Sequence, residues 1–288
     1  MTISRRQFCS ALGAAGLSTT AFPAFGNDKK QQPLRVIAYN VYACKGWPKD
    51  RTLARKAVKE GQMAKRLAME LASYQPDIIN FSESPSETVA KEVAGRLGMN
   101  HVRFPSGRNW PGTLLSRFEI IGSKKYPLGR ERPKELFTRH WGRGTVKLPN
   151  GESLIVHSAH LYPGADPKIR LQEIKAMLAS MKHDLDSGRS MLLIGDLNHR
   201  PDSEEYKLWI DAGWIDTFAK VGKGEGLTIK ADDPKSRIDY IMATGPIANQ
   251  IMESRPLFEG AFRLNIADED AFALSDHLPQ LAVFGGEN

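Results

Sequence analysis

The segment that most constrains this chain is residues 191–202, where an apolar run gives way abruptly to polar side chains. Residues 191–194 are all apolar and predict a buried strand, which Gly195 then interrupts. Asp196 and Asn198 follow, so the strand delivers a carboxylate and an amide at its C-terminal end. In α/β proteins, ligands bind at that edge of the sheet. We therefore predict that Asp196 and Asn198 belong to a functional site.

Strand and helix patterns alternate along the rest of the chain. Apolar stretches bounded by turn residues predict strands at residues 34–41, 77–81, 113–115, 119–126, 143–148, 153–160, 191–194, 237–243 and 280–284. Apolar residues at helical spacing predict helices at residues 52–73, 86–97, 167–186 and 204–212. Two runs of strands, each with flanking helices, predict an α/β (α+β) fold. In such a fold two sheets pack face to face and the helices lie outside them.

The predicted strands end at side chains that are suited to catalysis and metal binding. These side chains are Asn40, Glu83, His160, Asp196, Asn198, Asp239, Asp276 and His277. Each has an ordinary explanation when it is taken alone, such as a helix cap for Glu83 or a strand-terminating turn for Asn40. Strands that converge in one crevice would bring all of them together, and the size of the set favours a functional site.

The first 26 residues do not resemble part of a folded domain. A twin-arginine pair, Arg5 and Arg6, precedes a weakly apolar segment that carries no charge until Asp28. A bilayer-spanning helix needs about 20 strongly apolar residues, whereas Gly, Ser and Thr dilute this segment. We predict a cleaved twin-arginine signal peptide at residues 1–26, a linker at 27–33 and one domain at 34–288. The protein would then be periplasmic or secreted.

The charge balance and the cysteines narrow the partners and the stabilising chemistry. The chain carries 40 Lys and Arg against 33 Asp and Glu, a formal net charge of +7, which favours anionic partners weakly. Cys44 is the only cysteine after the leader, so we expect neither an internal disulfide nor a Cys/His zinc cage. A basic run with Trp141 amid it would suit either a polyanion or a solvated loop. The run consists of Lys124, Lys125, Arg130, Arg132, Lys134, Arg139 and Arg143.

Seven short motifs occur in an order that is typical of one superfamily. They are Tyr39-Asn40-Val41, Ser82-Glu83-Ser84, Leu115-Ser116-Arg117-Phe118, Ala159-His160-Leu161, Gly195-Asp196-Leu197-Asn198, Arg237-Ile238-Asp239-Tyr240 and Ser275-Asp276-His277. In this order, over residues 34–285, they resemble the endonuclease/exonuclease/phosphatase superfamily of DNase I, exonuclease III and neutral sphingomyelinases. The resemblance implies a four-layer α/β/β/α sandwich of two packed mixed β-sheets with outer helices. It also implies a divalent-metal-dependent hydrolase of phosphate esters, such as a phosphodiesterase or a nuclease.

The resemblance assigns a metal site and a water-handling group. Glu83 would be the principal ligand of Mg²⁺ or Mn²⁺, with Asn40 and Asp276 beside it. Such oxygen ligands suit a hard divalent cation that neutralises the phosphate charge. Asp196 would orient or deprotonate the attacking water, and Asn198 would bind a phosphate oxygen.

The resemblance also assigns the histidines. His277, paired with Asp239, would be held in one tautomer, and His160 would donate a hydrogen bond to the phosphate or assist the leaving group. Arg237 would contact the substrate. His157 competes with His160, but the two point to opposite faces of one strand, and the His-Leu form of the motif favours His160.

Several alternatives remain at the level of the sequence. The substrate is a phosphate ester: nucleic acid, a phospholipid head group or a small phosphodiester. A binding module that has kept the fold and lost catalysis is the alternative function, because fold does not dictate function. The acidic and histidine set favours the enzyme, since a pure binder does not need it. We expect a monomer with no obligate protein partner, and a structural rather than a catalytic role for His199.

Overall fold

A computed structural model describes residues 32–125 and 135–285 of the chain. The predicted signal peptide and most of the predicted linker lie outside these residues. The same holds for Tyr126, at the end of a predicted strand, and for Arg130, Arg132 and Lys134 of the basic run. No helix within the described ranges is long and apolar enough to cross a lipid bilayer.

The first sheet has six strands in the order β11-β12-β1-β2-β4-β3. Its strands are β1 (Leu34–Asn40), β2 (Ile78–Ser82), β3 (Asn100–Phe104), β4 (Gly112–Ser116), β11 (Ile251–Pro256) and β12 (Gln280–Phe284). The central pair, β1 and β2, is parallel, with Asn40 opposite Ser82. All other pairings in this sheet are antiparallel. The sheet is therefore mixed, and its parallel pair lies in the middle.

The second sheet repeats this arrangement with the order β5-β6-β7-β8-β10-β9. Its strands are β5 (Ile120–Lys125), β6 (Trp141–Lys147), β7 (Ser153–His160), β8 (Met191–Asp196), β9 (Ile215–Asp216) and β10 (Asp239–Thr244). The parallel pair here is β7 and β8, with His160 opposite Asp196. Because Asp239 is opposite Asp196 in the antiparallel β10–β8 pair, three polar side chains meet at one end of this sheet.

All the α-helices but the shortest cover the outer faces of the two sheets, and the shortest contacts β11 of one sheet and β10 of the other. The α-helices are α1 (Thr52–Lys59), α2 (Met63–Ala72), α3 (Glu87–Leu97), α4 (Lys168–Asp186), α5 (Glu204–Asp211) and α6 (Thr217–Val221). Along β1, Val36 and Ala38 face the second sheet, whereas Ile37 and Tyr39 pack under α1–α3. On the other side, α4 and α5 pack on the second sheet. The predicted four-layer sandwich is confirmed.

The structure corrects several predicted elements. The helix predicted at residues 52–73 is two helices, because Gly61 has a positive φ of +66° and ends the first of them. The strands β3, β9 and β11 were not predicted. All three lie at sheet edges, where fewer side chains are buried and the apolar pattern is weak.

Strands β7 and β8 approach each other so closely at position 195 that a glycine is required there. Gly195 lies within β8 with a φ of +147°, a conformation that L side chains rarely adopt. A Cβ atom built at this position would overlap the carbonyl oxygen of Ala159 on the neighbouring strand β7. Gly195 therefore allows β7 and β8 to deliver His160 and Asp196 side by side.

We predict that Gly195→Ala destabilises the fold by about 3 kcal/mol or more, because it adds both a backbone overlap and an unfavourable φ. The free energy of unfolding measured in urea checks this. Gly122→Ala on β5 is the matched control, since a Cβ there meets nothing within 4 Å. Equal stability of the two variants would contradict the assignment.

Candidate functional site

The C-terminal ends of the parallel strand pairs in both sheets meet at one edge of the sandwich. Asn40 ends β1 and Ser82 ends β2, while His160 and Asp196 end β7 and β8. The backbone N–H of Asp196 donates to the Ser82 hydroxyl across the two sheets at 3.3 Å. The predicted convergence of polar strand ends is therefore present, and it lies between the sheets.

Asp196 is the centre of the site. Its Oδ2 accepts a hydrogen bond from the Asn40 amide at 3.0 Å. The same oxygen lies 3.5 Å from Nε2 of His160 and 3.9 Å from Nε2 of His277. Its other oxygen, Oδ1, accepts the backbone N–H of Asn198 at 3.1 Å. The Asp196 carboxylate thus lies within 3.9 Å of a group from each motif that contains an asparagine or a histidine.

His277 and Asp239 form the pair that the sequence predicts. Nδ1 of His277 lies 2.8 Å from Oδ2 of Asp239, and both side chains are buried. Ser275 fixes this loop against the first sheet, because its hydroxyl donates to the carbonyl of Asn40 at 2.6 Å and accepts the His277 N–H at 3.2 Å. With Nδ1 engaged by Asp239, Nε2 of His277 points towards Asp196.

The buried surroundings shift the pKa values of these side chains in different directions. Burial raises the pKa of Asp196 to about 7, and the charge of Asp239 adds to the increase, while His277 and Asn40 oppose it. Burial lowers the pKa of His277, but the charge and hydrogen bond of Asp239 outweigh it and raise that pKa to about 10. The pKa of His160 is held well below its usual value by burial and by neighbouring cations. The site therefore combines a carboxyl that titrates near neutrality, an imidazolium and a neutral imidazole.

Glu83 lies beside this centre and fits a divalent cation. Its Oε2 is buried and has no hydrogen-bond partner among the described residues. Burial raises the pKa of Glu83, and the charge of Asp276 raises it further. Two adjacent carboxylates with an unpaired buried oxygen repel each other unless a cation lies between them. Glu83, with Asn40 and Asp276 near it, stays a predicted metal site, and the unpaired buried oxygen of Glu83 agrees with that prediction.

The geometry also provides a second cluster that can hold a metal ion, formed by Asp196, Asp239 and His277. One ligand atom from each of these residues lies within 4.8 Å of the others. Asn40 lies between the two clusters: its amide nitrogen donates to Asp196, and its oxygen accepts the Tyr42 N–H at 3.1 Å. In this arrangement Asn40 serves first as a hydrogen-bond bridge, and its oxygen keeps one lone pair for a metal.

The structure distinguishes the two histidines of β7. His160 faces Asp196, whereas His157 lies on the opposite face of the strand, where its Nδ1 is 3.4 Å from the Trp141 indole nitrogen. The preference for His160 agrees with this placement. Asn198 has its amide anchored to the carbonyl of Leu161 at 3.0 Å, which leaves a second amide N–H free to donate.

Arg237 does not lie where a substrate-binding residue is needed. Its guanidinium is buried, donates to Asp216 at 2.6 Å and stacks between the rings of Phe218 and Tyr240. Such a paired and buried arginine holds β10 to its neighbours and has little freedom to reach a substrate. The predicted substrate contact therefore finds no support in the geometry, and Asp239 pairs with His277 rather than with Arg237.

His199 and the basic run also take structural positions. His199 is buried and accepts the indole N–H of Trp209 at 3.2 Å, in agreement with the structural role predicted for it. Trp141 is buried under α4 and offers no exposed face for a polyanion. Arg143 pairs with Asp184 at 3.3 Å. Of the run's described members, only Arg139 acts on the site: its charge lowers the pKa of Glu83.

Glu173 supports the site from behind and was not predicted. It lies on α4, fully buried, and accepts the backbone N–H groups of Phe137 at 2.6 Å and Tyr162 at 2.9 Å. Phe137 lies two residues before Arg139, and Tyr162 lies two residues after His160. One carboxyl therefore holds both chain segments. Burial raises its pKa to about 7. No local pattern marks Glu173, because its partners are distant in the sequence.

The fold and these side chains define a class of protein. Two packed mixed sheets bring a buried aspartate with a raised pKa, two histidines and a glutamate with an unpaired oxygen to one rim, and such a set is suited to acid–base hydrolysis. Over residues 37–277 the sequence matches the Endonuclease/Exonuclease/phosphatase family. The chain belongs to this family, whose members are phosphoester-hydrolysing enzymes. The predicted superfamily, fold class and enzyme class are confirmed.

Solved structures with the same fold are distant in sequence. A mannosyl-6-phosphatase of Bacteroides thetaiotaomicron is 19% identical, with a TM-score of 0.68 over 86% of this chain and 98% of its own. A family protein of Bacteroides vulgatus is 17% identical, with a TM-score of 0.67 over 89% and 100%. Truncated TDP2 of Caenorhabditis elegans is 16% identical, with a TM-score of 0.65 over 88% and 98%. No curated protein matches the sequence.

We predict that Glu173 makes the stability of the fold depend on pH. Its pKa is raised from 4.5 to about 7, so the folded state binds more protons than the unfolded state between these values. The stability that this group contributes is complete below pH 4.5 and is lost as the pH rises through about 7. The free energy of unfolding should therefore fall by about 2 kcal/mol between about pH 5 and about pH 8 in the wild type relative to Glu173→Gln.

The matched control for this measurement is Glu225→Gln in an exposed loop, which should follow the wild type at both pH values. The Glu173→Gln variant also loses part of a hydrogen-bond network, so its stability at a single pH is lower in any case. Only the difference between the two pH values tests the assignment, and identical pH dependence in wild type and variant would refute it.

Proposed function

We propose that this protein is an exported, divalent-metal-dependent phosphodiesterase that hydrolyses its substrate by direct attack of water. The observation that carries the proposal is the position of Asp196 Oδ2. This oxygen contacts the Asn40 amide at 3.0 Å and lies within 4 Å of both His160 and His277. A base at the centre of three donors has the geometry that phosphoryl transfer to water requires.

Asp196 is the proposed general base. Its pKa of about 7 gives it a substantial ionised fraction at neutral pH and enough basicity to accept a proton from water. The water oxygen forms a bond to phosphorus, its proton passes to Asp196, and the ester P–O bond breaks. The leaving oxygen then takes up a proton from solvent, to which Asp196 returns the proton that it accepted.

The two histidines divide the remaining work. His277, held protonated by Asp239, supplies a fixed positive charge and an N–H donor next to the reacting phosphate. His160 is neutral and buried, so it supplies a hydrogen bond to a phosphate oxygen or to the leaving group. The free amide N–H of Asn198 serves a second phosphate oxygen.

Glu83 and Asp276, with Asn40 beside them, are the proposed ligands of Mg²⁺ or Mn²⁺. The unpaired buried oxygen of Glu83 supports this choice. The family is typically metal-dependent, and its members act on phosphate esters such as nucleic acids. When bound, the cation neutralises negative charge on the phosphate. Because Asp239 already engages Nδ1 of His277, the cluster around Asp196 suits proton transfer better than metal binding.

A non-catalytic binding module is the second candidate. A binding module needs neither an aspartate whose pKa is raised towards neutrality nor a histidine that lies between two carboxylates. Both features cost stability, because they bury charged or titrating groups. The proposed enzyme accounts for them and the binding module does not. Within the enzyme proposal we favour a monomer that contacts no protein partner during the reaction.

We predict that Asp196→Asn lowers kcat for bis-p-nitrophenyl phosphate about 1,000-fold in the presence of Mg²⁺, because the variant lacks the base. Plasmid DNA and sphingomyelin are assayed in parallel to place the substrate class. Asp202→Asn, an exposed neighbour in the same segment, is the control and should retain full activity. Hydrolysis that survives Asp196→Asn would overturn the mechanism.

The same assay addresses the metal. Chelation by EDTA should abolish the hydrolysis and Mn²⁺ or Mg²⁺ should restore it. Calorimetric titration should show that Glu83→Gln weakens Mn²⁺ binding, whereas Asp202→Asn does not. Absence of metal-dependent hydrolysis of every substrate by the wild type would favour the binding module.

Export through the twin-arginine route is the remaining part of the proposal. We predict that the protein recovered from the periplasm or the medium starts after Ala24 or Gly26, and that Arg5→Lys with Arg6→Lys retains it in the cytoplasm. N-terminal sequencing and cell fractionation measure both. The matched control is Lys29→Arg with Lys30→Arg, which changes two cations beyond the leader and should leave export intact. Exported protein that begins at Met1 would refute the signal peptide.

A further inference from the structure

A basic pocket lies on α1, outside the residues assigned to catalysis. It has a volume of about 250 Å³ and is lined by Lys45, Lys49, Arg55, Val58 and Lys59. Between residues 45 and 59 the chain carries six Lys and Arg and a single acidic residue, Asp50. Asp50 does not line the pocket, so its wall carries four positive charges and no negative one.

Within the described part of the chain, residues 32–125 and 135–285, no acidic side chain pairs with the four cations of the pocket. Arg51, by contrast, lies on the same segment and donates to the carbonyls of Asp268 and Ala271. The pocket therefore concentrates positive potential that an anionic group would neutralise.

Lys45 connects the pocket to the catalytic centre. Its Nζ lies 5.5 Å from the ring centre of Tyr42 and 6.0 Å from that of Trp110. The guanidinium of Arg139 stacks on the same Trp110 ring at 5.2 Å. Arg139 in turn lies close enough to Glu83 to lower the pKa of that carboxyl. Cations and aromatic rings thus alternate from the reacting position to the pocket.

Trp47 extends this surface on the other side of Tyr42. The two rings meet edge to face at 6.0 Å, and Nζ of Lys230 lies 5.6 Å from the Trp47 ring. All three aromatic side chains are half-buried, so each keeps part of its surface accessible. Isolated surface lysines are ordinary solvated groups. Here, however, three lysines and an arginine line one pocket, and Lys45 shares the Trp110 ring with Arg139, which lies towards Glu83.

We propose that this pocket is a substrate subsite that binds a second phosphate, one beyond the phosphate that is hydrolysed. The substrate is then a single-stranded nucleic acid, whose backbone supplies repeated phosphates and whose bases stack on Trp110, Tyr42 and Trp47. Alternating cations and aromatic faces are the features by which proteins hold single strands. This inference rests on the proposed phosphodiesterase function and names its substrate class.

A phospholipid surface fits the pocket less well. Insertion into a membrane needs apolar side chains that project from the same patch. Val58 is the only apolar residue that lines the pocket. Trp110 and Trp47 each have a lysine ammonium within 6.0 Å of the ring centre, and this charge would have to enter the lipid together with the ring.

The test compares Lys49→Gln/Arg55→Gln with Lys91→Gln/Lys207→Gln, a control that removes two exposed cations elsewhere. Anisotropy of a labelled oligothymidylate of roughly eight nucleotides, with EDTA present, measures binding without catalysis. The pocket variant should bind about tenfold more weakly, and its plot of log K against log salt should be shallower by about 0.7, since the one phosphate contact of the pocket is lost. The control variant should match the wild type in both measurements.

Kinetics separates this inference from the proposed function. The pocket variant should lose about tenfold more kcat/KM for the oligonucleotide than for bis-p-nitrophenyl phosphate, mainly through KM, because the small substrate has one phosphate. Equal losses for both substrates, or no loss for either, would overturn the subsite and leave the phosphodiesterase intact. Wild-type protein that hydrolyses neither substrate would overturn the proposed function, while the binding measurement would still judge the subsite.

Binding to vesicles of phosphatidylglycerol tests the alternative that the pocket contacts a membrane surface. Binding to these vesicles that depends on Lys49 and Arg55, together with oligonucleotide binding that does not, would overturn the proposal in favour of a membrane surface. Circular dichroism and thermal unfolding of both double variants should match the wild type, because all four substituted side chains are exposed.

Discussion

The hydrogen bond between Asn40 and Asp196 is the interaction on which the rest of the structure depends. It joins the end of β1 in one sheet to the end of β8 in the other, at 3.0 Å and out of contact with water. A second bond, from the Asp196 N–H to Ser82, holds the same two sheet edges together. The apolar core between the sheets gives the packing energy, but it is non-directional. These polar contacts fix the alignment of the two strand ends, and hence the site.

Burial sets the protonation states of the side chains at this junction between the sheets. In water, an aspartate and a histidine would titrate near their ordinary values and offer no division of labour. Removed from solvent, Asp196 becomes a weaker acid, His160 stays neutral, and His277 is protonated only because Asp239 compensates for the loss of hydration. The same interior that stabilises the fold therefore prepares a base, a neutral donor and a cation at one place.

Much of the site was predictable because its residues follow strands directly. Asp196, His160 and Asn40 occupy strand ends, and parallel strands deliver their C-terminal ends to one edge. The order of the motifs added the family, and with it the pairing of His277 with Asp239. Arg237, Trp141 and Glu173 could not be placed in this way. Arg237 and Trp141 carry local signals typical of exposed or binding residues, and their partners are supplied by other elements.

The sequence by itself determined the alternation of strands and helices, the apolar faces of β1 and the residue types of the active centre, since these depend on local periodicity and motif order. Only the tertiary structure decided that Arg237 is held by Asp216 and that Glu173 accepts the backbone N–H groups of Phe137 and Tyr162. It also decided that four cations from residues 45–59 line one pocket. The physical reason is distance along the chain. A side chain's role is set by the partner that neutralises or orients it, and these partners meet only when the two sheets pack.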